Sequence, residues 1–124
     1  MKIIVIDDSS GFCSQFSGIS LPGYTLIGIN PVGCKIFLEG KPCKTMSVAD
    51  AIRGANVVFL DHNMPQKGDS LLAEWKEFGL ITEEMRVVGC STDKQPYLSE
   101  QLNPQEVVSA RGLAKFLESK PSIG

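Results

Sequence analysis

The chain has 124 residues, 43% of them hydrophobic, and a formal net charge of −2. This is the length and apolar content of one domain, residues 1–124, with a single core. Without a basic run, nucleic acid or an anionic membrane is a poor partner, and the longest apolar runs are strand-sized, too short to span a bilayer. Met1-Lys2 followed by Ile3-Ile4-Val5-Ile6 imitates the start of a signal peptide, but Asp7-Asp8 interrupts the apolar stretch too early for one. The four cysteines, Cys13, Cys34, Cys43 and Cys90, form no Cys-x-x-Cys pair and there is one histidine, so a zinc site lacks ligands. Free thiols in a reducing cytoplasm are the expectation; a Cys34–Cys43 disulfide across a hairpin is the alternative.

Taken in order, residues 2–7 read as a strand, and Ser9 or Ser10 caps a stunted helix reaching about Phe16. Gly18, Pro22 and Gly23 end it. Tyr24 to Ile29 is a second strand, closed by Asn30-Pro31. Residues 34–44 hold two short runs around Glu39-Gly40-Lys41-Pro42, a β-hairpin placed at an edge because Pro42 has no N–H to give a ladder. Lys35, Lys41 and Lys44 make a solvated border that discourages strand pairing. Such an insertion also commonly recruits a partner or a second copy of the chain, here a homodimer. Ser47, with Asp50 three residues on, starts a helix that Gly54 stops.

Val57-Val58-Phe59-Leu60 is a β-branched, apolar run that ends on Asp61 and a turn at Asn63-Met64-Pro65. It reads as a strand buried on both faces, spanning 57–61. Residues 69–78 follow as a helix with Leu71, Leu72, Trp75 and Phe78 on one face, started by Asp69 or Ser70 and ended by Gly79. Trp75 belongs to the core. Residues 86–90 are the next strand, ending in Ser91-Thr92. Asn103-Pro104-Gln105-Glu106 is a strong helix start, and Val107, Ala110, Leu113, Ala114 and Leu117 continue helical spacing to about residue 119. Strands alternating with helices imply an α/β domain with a mostly parallel sheet.

Two of these strands end in acid, at Asp7-Asp8 and at Asp61, and a third ends in the hydroxyl of Ser91. If they are parallel neighbours, three carboxylates and a hydroxyl meet at the carboxyl edge of the sheet, where open α/β sheets bind ligands. Carboxylates crowded together repel unless a hard cation holds them, and Mg²⁺ takes such oxygens. A carboxylate beside Mg²⁺ can attack phosphorus and become an acyl phosphate. Taken singly, the acids serve equally as helix caps, and Ser91 as a turn cap. His62 reads as exposed, with no role.

The order of these motifs, all within residues 1–92, resembles the receiver domain of two-component response regulators. Asp7-Asp8-Ser9 is similar to that family's acidic pair, Asp61-His62-Asn63-Met64-Pro65 to its phosphoacceptor loop, and Ser91 to its switch hydroxyl. The resemblance implies a three-layer, flavodoxin-like sheet, here with an inserted hairpin and a modified C-terminal end. It implies phosphorylation of Asp61 by a sensor histidine kinase or phosphotransfer protein and output through a downstream effector protein. It implies Mg²⁺ held by Asp8, Asp61 and the backbone carbonyl of Asn63, with Asp7 assisting through water. Any catalysis is then limited to the domain's own phosphorylation and dephosphorylation.

The chain departs from the family in three places. The hairpin lengthens the segment between Asp8 and Asp61. The usual Asp-Gly after the Met-Pro turn reads Gly68-Asp69. The Lys-Pro that ends the family's fifth strand, whose Lys grips the phosphoryl group, has Lys120-Pro121 as its counterpart, late in the chain. Either residues 113–118 are the fifth strand and Lys120 enters the site, or residues 104–119 are a helix and Lys120 is a cation at its carboxyl end, which the helical pattern favours. Two rival functions remain. A receiver-like adaptor would recognise a partner without phosphorylation. Another Mg²⁺ phosphoryl enzyme would need different acids: Asp-x-Asp after the first strand for a dehalogenase-like phosphatase, or a Glu there for a topoisomerase-primase type domain.

Overall fold

The computed structural model describes residues 1–119. The first strand, β1 (Lys2–Ile6), leads into helix α1 (Ser10–Ser17), whose N-cap Ser9 accepts a hydrogen bond from the Phe12 N–H. Strand β2 (Thr25–Asn30) is followed by the hairpin β3 (Lys35–Leu38) and β4 (Lys41–Cys43). Glu39 and Gly40 form its turn with φ of 52° and 75°, the left-handed pair that a two-residue hairpin turn requires. The short helix α2 (Val48–Ile52) is capped by Ser47, and β5 (Val57–Leu60) and α3 (Gly68–Glu77) come next. Strand β6 is Arg86–Cys90.

The seven strands lie in the order β4-β3-β2-β1-β5-β6-β7, where β7 is Gln101–Leu102. All neighbours from β2 to β7 are parallel, and only the hairpin strands run antiparallel. Alternation along the strands sends their side chains into two cores. Ile4, Ile6, Val58 and Leu60 pack with Ile52, Leu71 and Trp75 on one face; Ile3, Val5, Val57 and Phe59 pack with Phe16, Val107 and Leu113 on the other. Two buried faces explain why β1 and β5 read as unbroken apolar runs.

The hairpin extends the sheet beyond β2. Leu38 and Lys41 flank a two-residue turn and make the hydrogen-bonding pair, so the next pair, Phe37 and Pro42, is non-bonding. The nitrogen of Pro42 therefore faces the free edge and offers no donor there, which blunts it against strand pairing. All four cysteines carry free thiols, which removes the Cys34–Cys43 disulfide alternative.

The C-terminal third corrects the sequence reading. The helix expected over 104–119 is two helices, α4 (Pro104–Val107) and α5 (Ala110–Glu118). Ser109 breaks them: its backbone is extended and its side chain caps α5 by accepting from the Gly112 N–H. Apolar spacing runs through the break because Val107 and Leu113 serve the same core. Residues 113–118 lie in α5, so they are not the fifth strand of the alternative reading. That place is taken by β7, two residues long and unforeseen, and residues 91–100 cross to it from β6 without a helix. Helix α3 begins at Gly68 rather than at Asp69 or Ser70, and its N-cap position, Lys67, makes no side-chain cap bond. No described helix is long and apolar enough to cross a membrane.

Candidate functional site

The ladder itself places the acids. The Asp7 N–H donates to the Ile29 carbonyl at 3.0 Å and the Asp61 N–H donates to the Ile6 carbonyl at 3.0 Å, so each follows directly from the end of its strand. Since β1 and β5 are parallel neighbours, their ends are level. One carboxylate oxygen from each of Asp7, Asp8 and Asp61 lies within 4.8 Å of the others. The convergence expected of the three carboxylates is therefore present.

The cluster is electrostatically uncomfortable. Burial, with the charges of Asp61 and Asp8 behind it, pushes Asp7 up to about 6, against the opposing pull of the Ser9 N–H that donates to its Oδ1 at 2.8 Å. Asp61 is raised too, first by burial and then by Asp8, while the N–H groups of Asn63 and His62 draw it down. The ion pairs formed among the described residues, Arg53–Asp50 and Arg86–Glu100, leave these three acids out. A divalent cation would relieve their repulsion, and carboxylate oxygens are the hard donors Mg²⁺ takes alongside water.

Asp7→Asn tests this charge balance. Between about pH 4 and pH 6 the native state keeps a proton that the unfolded chain releases, so stability falls as pH rises through that window and stays lower above it. Asparagine keeps the acceptor for Ser9 and removes the charge. In EDTA at pH 7 the variant should be more stable by about 1 kcal/mol, a figure reduced from the full shift because Asp7 is partly open to water. The gain should vanish near pH 4. Urea unfolding at the two pH values measures it, and a variant no more stable at pH 7 contradicts the assignment.

The other expected site residues divide. Asn63 is exposed, and its carbonyl accepts no hydrogen bond from any described residue, whereas the carbonyl of His62 accepts two, from Met64 at 2.9 Å and Gly68 at 3.1 Å. Ser91 is buried at the end of β6, next to β5, and its Oγ accepts from the Asp93 N–H at 3.0 Å. Its own hydrogen is left to donate. Lys120 lies outside the described residues. The strand that ends the sheet, β7, runs into Asn103-Pro104, and Asn103 Oδ1 caps α4 by accepting from the Gln105 N–H at 2.9 Å.

Several residues around the cluster escaped the sequence reading. Asn30, read only as a strand terminator, is buried; its Nδ2 donates to the Asp8 carbonyl at 3.2 Å and to Ser10 Oγ at 2.9 Å, and its Oδ1 accepts from the Val32 N–H. It ties the acidic loop to the end of β2. The Asn30-Pro31 turn signal located this residue but not its cross-strand bonds. Cys13 donates from Sγ to the Asp7 carbonyl at 3.3 Å, and burial pushes its thiol up to about 12. His62 is not exposed as expected but partly buried, with Nδ1 3.0 Å from the Tyr97 hydroxyl. No protein-family model matches the chain, and no curated protein matches it.

Proposed function

We propose that this chain is a receiver-type phosphoacceptor: Asp61 takes a phosphoryl group from a sensor histidine kinase or phosphotransfer protein, and the change is passed to an effector protein. The observation that carries the reading is the meeting of Asp7, Asp8 and Asp61 at the carboxyl edge of adjacent parallel strands. The order of the five parallel strands supports it. Setting the hairpin aside, β2-β1-β5-β6-β7 is the 2-1-3-4-5 order of flavodoxin-like sheets, whose ligands sit at this edge.

Asp7, Asp8, Asp61 and the carbonyl of Asn63 would hold Mg²⁺, which supplies positive charge to the phosphoryl oxygens. In the transfer, a carboxylate oxygen of Asp61 forms a bond to phosphorus. The bond from phosphorus to the donor's nitrogen, or to the acetate oxygen of acetyl phosphate, breaks, and the donor leaves with the electron pair. Ser91 can give a hydrogen bond to a phosphoryl oxygen.

One observation favours the second reading, an adaptor that recognises its partner without phosphorylation. Among the described residues, the last strand, β7, is followed by the amide of Asn103 and brings no ammonium to the sheet edge; Lys120, the counterpart of the family's Lys, lies outside the described residues. Intact mass after incubation with Mg²⁺ and acetyl phosphate separates the two. A gain of one phosphoryl group, lost in EDTA, supports the phosphoacceptor. Mg²⁺ binding without any gain supports the adaptor, and absence of both removes the receiver reading.

A further inference from the structure

Residues 91–100 connect β6 to β7 without a helix, yet they are firmly fastened. Gln101 Oε1 accepts from the Gln95 N–H at 2.9 Å, and Gln101 Nε2 donates to the Ser91 carbonyl at 2.9 Å and to the Asp93 carbonyl. The connection then reaches across to the Asp61 loop. Gln95 is only 3% exposed, and its Nε2 donates to the Leu60 carbonyl at 3.2 Å and to the Tyr97 hydroxyl at 2.9 Å. The Tyr97 hydroxyl in turn meets His62 Nδ1 at 3.0 Å.

These bonds bracket Asp61. Gln95 holds the peptide immediately before it, and Tyr97 holds the ring of the residue immediately after it. The orientation of the Gln95 amide is determined, since its reverse would set Oε1 against the Leu60 carbonyl. As it stands, Oε1 lies against Gly89, with no hydrogen-bond partner among the described residues. The Tyr97 hydroxyl accepts from Gln95 and shares a further hydrogen bond with His62 Nδ1, whose direction follows the imidazole tautomer. Gly68 completes the junction. A Cβ there would lie 2.8 Å from the Asp61 carbonyl and 3.0 Å from His62 Cα, and would run into the Tyr97 hydroxyl.

We infer that Gln95 and Tyr97 are positioning residues that fix the Asp61–Asn63 loop for its cation and so couple residues 91–100 to the state of the site. The inference rests on the proposed Mg²⁺ centre. Partners standing behind metal ligands hold them in orientation, and losing one commonly lowers metal affinity about tenfold or more. Coupling is reciprocal: if the bracket strengthens cation binding, the cation must strengthen the bracket.

Tyr97→Phe is the test, because it deletes the hydroxyl and keeps a ring that packs against the core. Mg²⁺ affinity is read by calorimetric titration, and the response of residues 92–100 by amide hydrogen exchange with and without Mg²⁺. In the native protein Mg²⁺ should slow exchange in 92–100. In Tyr97→Phe the affinity should fall about tenfold and that slowing should disappear, while the melting midpoint stays close to native. Gln95→Met should act in the same direction. Native affinity and native slowing in a folded Tyr97→Phe protein overturn the inference but leave the Mg²⁺ centre standing. A native protein that binds no Mg²⁺ overturns both.

Discussion

Asp61→Asn should abolish phosphoryl transfer from acetyl phosphate, leaving the intact mass unchanged after incubation with Mg²⁺. The amide is close in shape to the carboxylate but lacks the negatively charged oxygen that the proposed transfer needs to attack phosphorus. The fold should survive. Asp61 is held up in pKa by burial and by Asp8, so removing its charge relieves the native state rather than straining it. The melting midpoint at neutral pH should therefore equal or exceed that of the native chain, which separates loss of chemistry from loss of structure. Asp8→Asn removes a carboxylate of the proposed cation site and should weaken Mg²⁺ binding while leaving the Asp61 carboxylate in place. Labelling that persists in Asp61→Asn would place the acceptor elsewhere.

The second large effect is structural. Gly28→Ala should cost about 3 kcal/mol of unfolding free energy or more, at the upper end of the range for forcing a methyl into a packed core. Gly28 lies in β2 between Val5 of β1 and Phe37 of β3. Its added Cβ would stand 2.5 Å from the Cys13 carbonyl and 2.6 Å from Cys13 Cβ. These are atoms of α1 that cannot rotate away, so the helix itself must lift. The disturbance should reach the site, because Cys13 bonds the Asp7 carbonyl and Ser9 caps the same helix. Denaturant unfolding measures the loss, and chemical shifts of Asp7 and Asp8 report the displacement. A loss below about 1 kcal/mol would mean that α1 can shift at little cost.

The central strands and their acids were legible in the sequence because burial on both faces leaves a local signature. Val57–Leu60 and Lys2–Ile6 are apolar runs, and each is punctuated by aspartate where the chain leaves the sheet. The caps at Ser9, Ser47 and Asn103 are local chemistry as well, read from the residues that need them. That Asp7, Asp8 and Asp61 share one site followed only once β1 and β5 were parallel neighbours, which is a property of the pairing and not of either segment.

Other features carried no local trace. The pause at Val108-Ser109 is masked because α4 and α5 face one core and keep one apolar rhythm across it. Strand β7 is two residues long, too short for alternation to show, and exists because the end of β6 has an open edge beside it. Asn30, Gln95 and Tyr97 are ordinary polar residues in loop-like sequence. Their roles arise from bonds to Asp8, Leu60 and His62, which lie 22 to 35 positions away along the chain. A sequence pattern reports what a residue needs from its near neighbours; the tertiary fold alone brings the end of β5 and the 91–100 connection within hydrogen-bonding distance.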